Sequence, residues 1–145
     1  MNSWIIKELE QANFDDLRLN NRFKKIACEL SQNPSQSING ASIDWAATKA
    51  AYRFFDNPKV ESEKIISPHF ETTKIRSRNH KRIIIAQDTT FIDFSQHKKT
   101  QGLGNIGKRH GHRIKGICQH TGLALTEKGI PLGLVYNRIW NRPEY

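Results

Sequence analysis

The hydrophobic pattern of this 145-residue chain changes period near residue 80, from about 3.6 to about 2. That switch constrains the fold most, because a helix-period pattern does not settle as a strand. Before it, Trp4, Ile5 and Leu9 suggest a short helix that Asn2 or Ser3 can cap. Asp15 and Asp16 precede a longer stretch in which Phe23, Ile26, Ala27 and Leu30 recur at helical spacing. Asn33-Pro34 closes it, since the residue before proline is pushed out of the α region. A third helix is predicted from about Asp44, with Trp45, Thr48, Ala51, Tyr52 and Phe55 on one side, ended by Asn57-Pro58. A fourth starts near Glu61 and carries Ile65, Ile66, Phe70 and Ile75, with a kink or restart at Pro68. Four such helices make a small bundle.

After residue 80 the pattern is that of a sheet. Ile83–Ala86 is an apolar run with β-branched residues, which reads as a fully buried strand with Asp88 standing at its end. Ile92 and Phe94 alternate with Phe91 and Asp93 as its continuation or partner. Lys115–Leu125 and Leu132–Trp140 have strand character, and the turn chemistry of Thr126–Pro131 makes them a hairpin. Three strands in a meander leave two edges open and cover one face at most, so the sheet looks incomplete. The fold class is therefore α+β, with a helical part over 1–78 and a sheet part over 79–145.

The charge is uneven. The chain has a net charge of +9, and residues 81–145 carry 11 Lys/Arg against 4 Asp/Glu. His97–Lys115 holds six Lys/Arg, three His and no acid. A polyanion partner follows, because each neutralised phosphate releases counterions. The plainer alternative is a basic protein of ribosomal type, or one that is merely soluble. No apolar run approaches about 18 residues and no basic-then-apolar leader opens the chain, which argues against a membrane partner and for the cytoplasm, in contact with the nucleoid. Cys28 and Cys118 lack metal-ligand spacing and fit buried reduced thiols.

Several groups carry candidate chemistry. Arg18, Arg22 and Lys25 fall at i, i+4 and i+7, a basic stripe set off from the Phe23–Ile26 row and able to face a DNA backbone. A solvated charged face beside Glu29 is the commoner form of such a stripe. Gly102-Leu103-Gly104-Asn105-Ile106-Gly107 spells a dinucleotide fingerprint, but no strand leads into it and Lys108–Arg113 opens a helix poorly. A flexible basic loop closing over phosphates beside Asp88, with Lys108, Arg109 and Arg113, fits better. His97, His110, His112 and His120 match no zinc spacing; His110 and His112 read as solvated loop residues and His120 as facing the sheet. Asp88 suits a metal ligand held by a rigid strand, or a surface turn acid. Two-metal phosphodiester chemistry needs several carboxylates, and residues 81–145 offer only Asp88, Asp93, Glu127 and Glu144.

Three blocks together resemble a known family. They are Phe14–Arg22, Lys49-Ala50-Ala51-Tyr52-Arg53-Phe54-Phe55-Asp56-Asn57-Pro58 and Gln87-Asp88-Thr89-Thr90. The order continues through Gly102–Gly107, His120-Thr121, Pro131–Leu134 and Trp140–Pro143. The chain is similar to the N-terminal portion of bacterial insertion-sequence DDE transposases, the cut-and-paste group typified by the transposase of transposon five. The resemblance implies a helical domain that binds transposon-end double-stranded DNA, then the first strands of a truncated RNase H-like (retroviral-integrase-like) catalytic domain. It implies that Asp88 is the first acid of the Asp-Asp-Glu triad and a ligand of Mg²⁺ or Mn²⁺, and that Arg18 and Arg22 contact end DNA. The family's second Asp and its Glu lie in later segments that have no counterpart here, so catalysis by this chain alone is expected to be incomplete. Partners implied are transposon-end DNA and a full-length transposase or a separately encoded C-terminal part. Rival readings are a DNA-binding regulator that competes for transposon ends, and a general basic nucleic-acid-binding protein.

Overall fold

The computed structural model describes residues 3–142. The expected cap at Asn2 or the Ser3 side chain, and Pro143 and Glu144 at the other end, lie outside the described residues. The chain forms two compact units, Met1–Thr72 and Thr73–Tyr145. Its elements are five helices and four strands among the described residues: α1 (Ser3–Glu8), α2 (Leu17–Gln32), α3 (Ile38–Ala41), α4 (Trp45–Phe55), α5 (Ser62–Ser77), β1 (Ile83–Asp93), β2 (Gly104–Arg109), β3 (His112–Thr126) and β4 (Pro131–Trp140).

The helical unit is set by its caps and three phenylalanines. Asp16 takes the N-cap of α2, its carboxylate accepting from the Arg18 N–H at 2.9 Å. That hydrogen bond holds the Asp16 carboxyl below its usual range. Asp44 caps α4 in the same way, accepting from the Ala47 N–H at 2.7 Å. Between them Phe14, Phe23 and Phe54 meet with ring centroids 5.3–5.8 Å apart, two edges and one stack. Leu9, Ala12, Ile26 and Ala51 complete the buried cluster. Phe14 reaches it from a tight loop in which Asp15 has φ +57, and the Phe14 N–H donates to Asn20 at 2.8 Å. His69 and Thr72 of α5 fasten this helix to the end of α1, through Glu8 Oε1 at 2.5 Å and the Glu8 carbonyl at 3.2 Å.

Three expectations for this unit change. A short helix, α3, fills the interval before Asp44; its four residues carry too little pattern to announce it, and its mark is Ser37 accepting from the Gly40 N–H. Pro68 does not interrupt α5, which runs unbroken from Ser62 to Ser77. The inward face of α4 is Thr48, Ala51 and Phe54, whereas Trp45, Tyr52 and Phe55 are exposed, so the apolar row chosen from spacing is rotated about one residue.

In the sheet unit β3 is the spine. β1 runs antiparallel along one edge of it, pairing Ile83 with Thr126 through to Asp93 with Gly116. β2 and β4 share its other edge in succession, β2 against His112–Gly116 and β4 against Cys118–Leu125. The β3–β4 turn is the expected hairpin, with Gly129 at φ +78 and Thr126 and Ile130 bonded across it. The last turn of α5 is tied to this unit by Arg76, whose Nε donates to the Leu132 carbonyl at 2.6 Å. β2 corrects the expected flexible glycine loop: Gly104–Arg109 is a strand, and His112 opens the next one. Asp88 sits in the middle of β1, opposite Thr121, and not at its end.

The buried strand is also corrected. Ile83, Ile84 and Ile85 are all exposed, Ile84 by 50%. An apolar run of this kind signals cover on both faces. Residues 73–142 supply a sheet one layer deep, and β1 pairs on one edge only among the described residues. Close backbone packing nonetheless fixes the ladder at Gly116, where a Cβ would overlap the Ile92 carbonyl and the Ile106 side chain. Gly116→Ala is therefore expected to destabilise the sheet unit by about 1–3 kcal/mol. Hydrogen exchange along β1 and β3 measures it, with the helical unit's protection unchanged as the internal control.

Candidate nucleic-acid interface

Two helices of the N-terminal unit present their cations to each other. On α2, Arg18 and Arg22 stand one turn apart; on α4, Lys49 and Arg53 do the same. All four line one cleft of about 550 Å³. Ala46 and Ala50, small side chains one turn before Lys49 and Arg53 in register, line the same cleft. Leu19, Phe54 and Asn57 complete its lining. Among the described residues no carboxylate lines it.

The charges are poorly neutralised from within. Arg18 lies 3.6 Å from Asp16 with its side chain 95% exposed, a pairing of little strength. Among the described residues none of Arg22, Lys49 and Arg53 has a carboxylate within ion-pair distance. Four cations gathered with only one weak counter-charge repel one another, and a bound polyanion relieves that repulsion. Lys49 also lies over the Trp45 ring at 5.4 Å. Trp45 and Tyr52 are 65% and 52% exposed on the same helix, flat surfaces able to meet a sugar or a base edge.

The structure thus brings together two of the three cations expected on α2. Lys25 is exposed and does not line the cleft. Spacing alone does not mark Lys49 and Arg53, because it puts Tyr52 and Trp45 in the core. The available signal was Ala46, Lys49, Ala50 and Arg53 at i, i+3, i+4 and i+7, beside the Ala51–Phe54 row.

The sheet unit carries the other expected residues, and separates them. Asp88 is exposed on one face of β1, with Thr90 beside it and Thr121 opposite. Asn137 and Gln119, hydrogen-bonded at 2.8 Å, extend this neutral polar patch. Asp93 projects from the other face by strand alternation, accepting from the Ser95 N–H, which lowers its pKa, and Arg109 lies 3.6 Å away. Glu127, in the β3–β4 turn, pairs with Arg82 at 2.7 Å. Among the described residues no three His, Cys, Asp or Glu side chains gather. One carboxylate among neutral groups does not fit a pair of divalent cations, which take several hard anionic oxygens.

The histidines divide too. His120 faces the sheet, its Nδ1 2.7 Å from Thr89 Oγ1 and its ring against Tyr136. His110 is a turn residue with φ +50, and both cysteines are buried and free. Lys108, Arg109 and Arg113 belong to the β2–β3 hairpin. The expectation that they close over Asp88 fails on distance: nine residues of β3 separate His112 from Thr121, roughly 30 Å of strand. No described helix is long and apolar enough to cross a membrane.

The cleft lies wholly inside the segment that matches a known family. Residues 1–60 match the family model described as transposase DNA-binding.

Proposed function

We propose that this chain binds double-stranded DNA of transposon ends through the α2–α4 cleft, as the recognition part of a cut-and-paste DDE transposase. The observation that carries the reading is the convergence of Arg18, Arg22, Lys49 and Arg53, with only the weak Asp16 pairing of Arg18 against them, inside the segment matching the transposase DNA-binding family. Arg22 and Arg53 hold the phosphate backbone, and the exposed Trp45 and Tyr52 lie where sequence would be read.

For the sheet unit we propose the first strands of an RNase H-like domain, with Asp88 as the first metal-binding acid. Support comes from the antiparallel β1–β3–β4 meander, the mid-strand carboxylate and the apolar faces of β1 left open. Among the described residues β1 is uncovered and has a free edge, which suits neighbours supplied by further transposase sequence, in the same chain or a separately encoded part. Mg²⁺ or Mn²⁺ chemistry would then need carboxylates beyond those the described residues bring to Asp88.

Selection from a random duplex pool tests the binding. A single enriched sequence, bound more tightly than scrambled duplex or structured RNA, is expected. Equal binding to all three would instead favour a general basic nucleic-acid-binding protein. Supercoiled plasmid carrying the selected sequence, incubated with Mn²⁺, tests the chemistry. No nicking is expected; nicking that disappears in Asp88→Ala would show that the site is complete.

A further inference from the structure

We infer that the β2–β3 hairpin is a second duplex-DNA contact, a basic ribbon that enters a groove. It rests on the reading of the chain as a DNA-binding protein but uses none of the cleft residues. The hairpin pairs Arg109 with His112 and Lys108 with Arg113 across a two-residue turn, His110-Gly111. Both turn residues have positive φ, +50 and +81, the geometry of a tight turn that matches strand twist. Asn105 and Gly107 bracket a bulge that adds further twist.

The register sorts its charges by face. Lys108 and Arg113 are direct partners and so share one face, which Lys115 joins by strand alternation. All three are exposed, and no acid stands on the hairpin. Arg109 and His112 project from the other face, where Arg109 meets Asp93. Like charges directly opposite in a ladder destabilise it, so the Lys108–Arg113 pair is a cost to the free protein that a polyanion removes.

The shape selects among polyanions. The major groove of B-form DNA, about 12 Å wide, admits a two-stranded ribbon. The deep, narrow major groove of A-form RNA does not. From Thr121, opposite Asp88, the ribbon's cations lie roughly 20 Å (Lys115) to 27 Å (Arg113) away along β3, so the ribbon grips DNA apart from any phosphate at Asp88.

The test uses the full chain and three probes: a random-sequence duplex DNA, the matching double-stranded RNA, and single-stranded DNA. For Lys108→Ala/Arg113→Ala/Lys115→Ala, the slope of log K against log[salt] on duplex DNA is expected to shrink by about 2–3. RNA and single-strand slopes are expected to change by less than about 1. Gly111→Val keeps the charge but strains the turn, and is expected to weaken duplex binding about three- to tenfold. Circular dichroism should show both variants folded, the triple variant melting no lower than wild type. An unchanged duplex slope in the triple variant, or equal losses on duplex and RNA, would overturn the ribbon. Sequence preference in the selected duplex, lost in Trp45→Ala/Tyr52→Ala, reads the helical cleft separately.

Discussion

Phe54→Ala is expected to cost about 3–5 kcal/mol and to unfold much of the helical unit, since small domains hold only about 5–15 kcal/mol in all. Phe54 is 2% exposed and touches both Phe14 and Phe23. It also meets Phe55 edge-on and lines the cleft. Its removal therefore empties the junction between α2, α4 and the Phe14 loop at once. Far-UV circular dichroism should lose helix signal at a lower temperature, and duplex binding should fall with it. Phe54→Leu fills more of the space and is expected to keep the fold at a cost nearer 1–2 kcal/mol. A Phe54→Ala protein that melts like wild type would mean the three-ring cluster does not organise the unit.

Arg22→Ala/Lys49→Ala/Arg53→Ala is expected to have the opposite signature, a lost ligand with an intact fold. Removing three phosphate contacts should reduce the salt slope by about 2.7 and the affinity at moderate salt by about a hundredfold or more. Stability should hold or rise slightly, because the three cations have no carboxylate to lose and their mutual repulsion disappears. Lys25→Ala, on the same helix but outside the cleft, should change the slope by less than about 1. A triple variant that binds the selected duplex like wild type would remove the cleft from the interface.

The sequence made the helical half readable mainly through its boundaries. Asp16 and Asp44 announce two helix starts by cap chemistry, and both structural caps are there. The Phe23–Ile26 row was legible for the same reason that α2 is amphipathic. The outward face of α4 was not, because Trp45 and Tyr52 are aromatic and spacing alone cannot say which of two adjacent rows is buried. In the sheet half the hairpin at Thr126–Ile130 could be read from its glycine and turn residues. β2 could not: Gly104, Gly107 and a bulge hide the alternation that marks a strand. The exposure of Ile83–Ile85 was beyond reach as well, since an apolar run records the cover a strand requires and not the cover that residues 73–142 provide.

The most direct measurement follows the arginine side chains of the cleft themselves. In a titration of the full chain with the selected duplex, nuclear magnetic resonance of the Nε–Hε groups reports each guanidinium separately. Arg18, Arg22 and Arg53 are expected to shift in step with one binding isotherm, together with backbone amides of α2 and α4. Duplex binding that leaves those three signals unmoved would contradict recognition through the α2–α4 cleft.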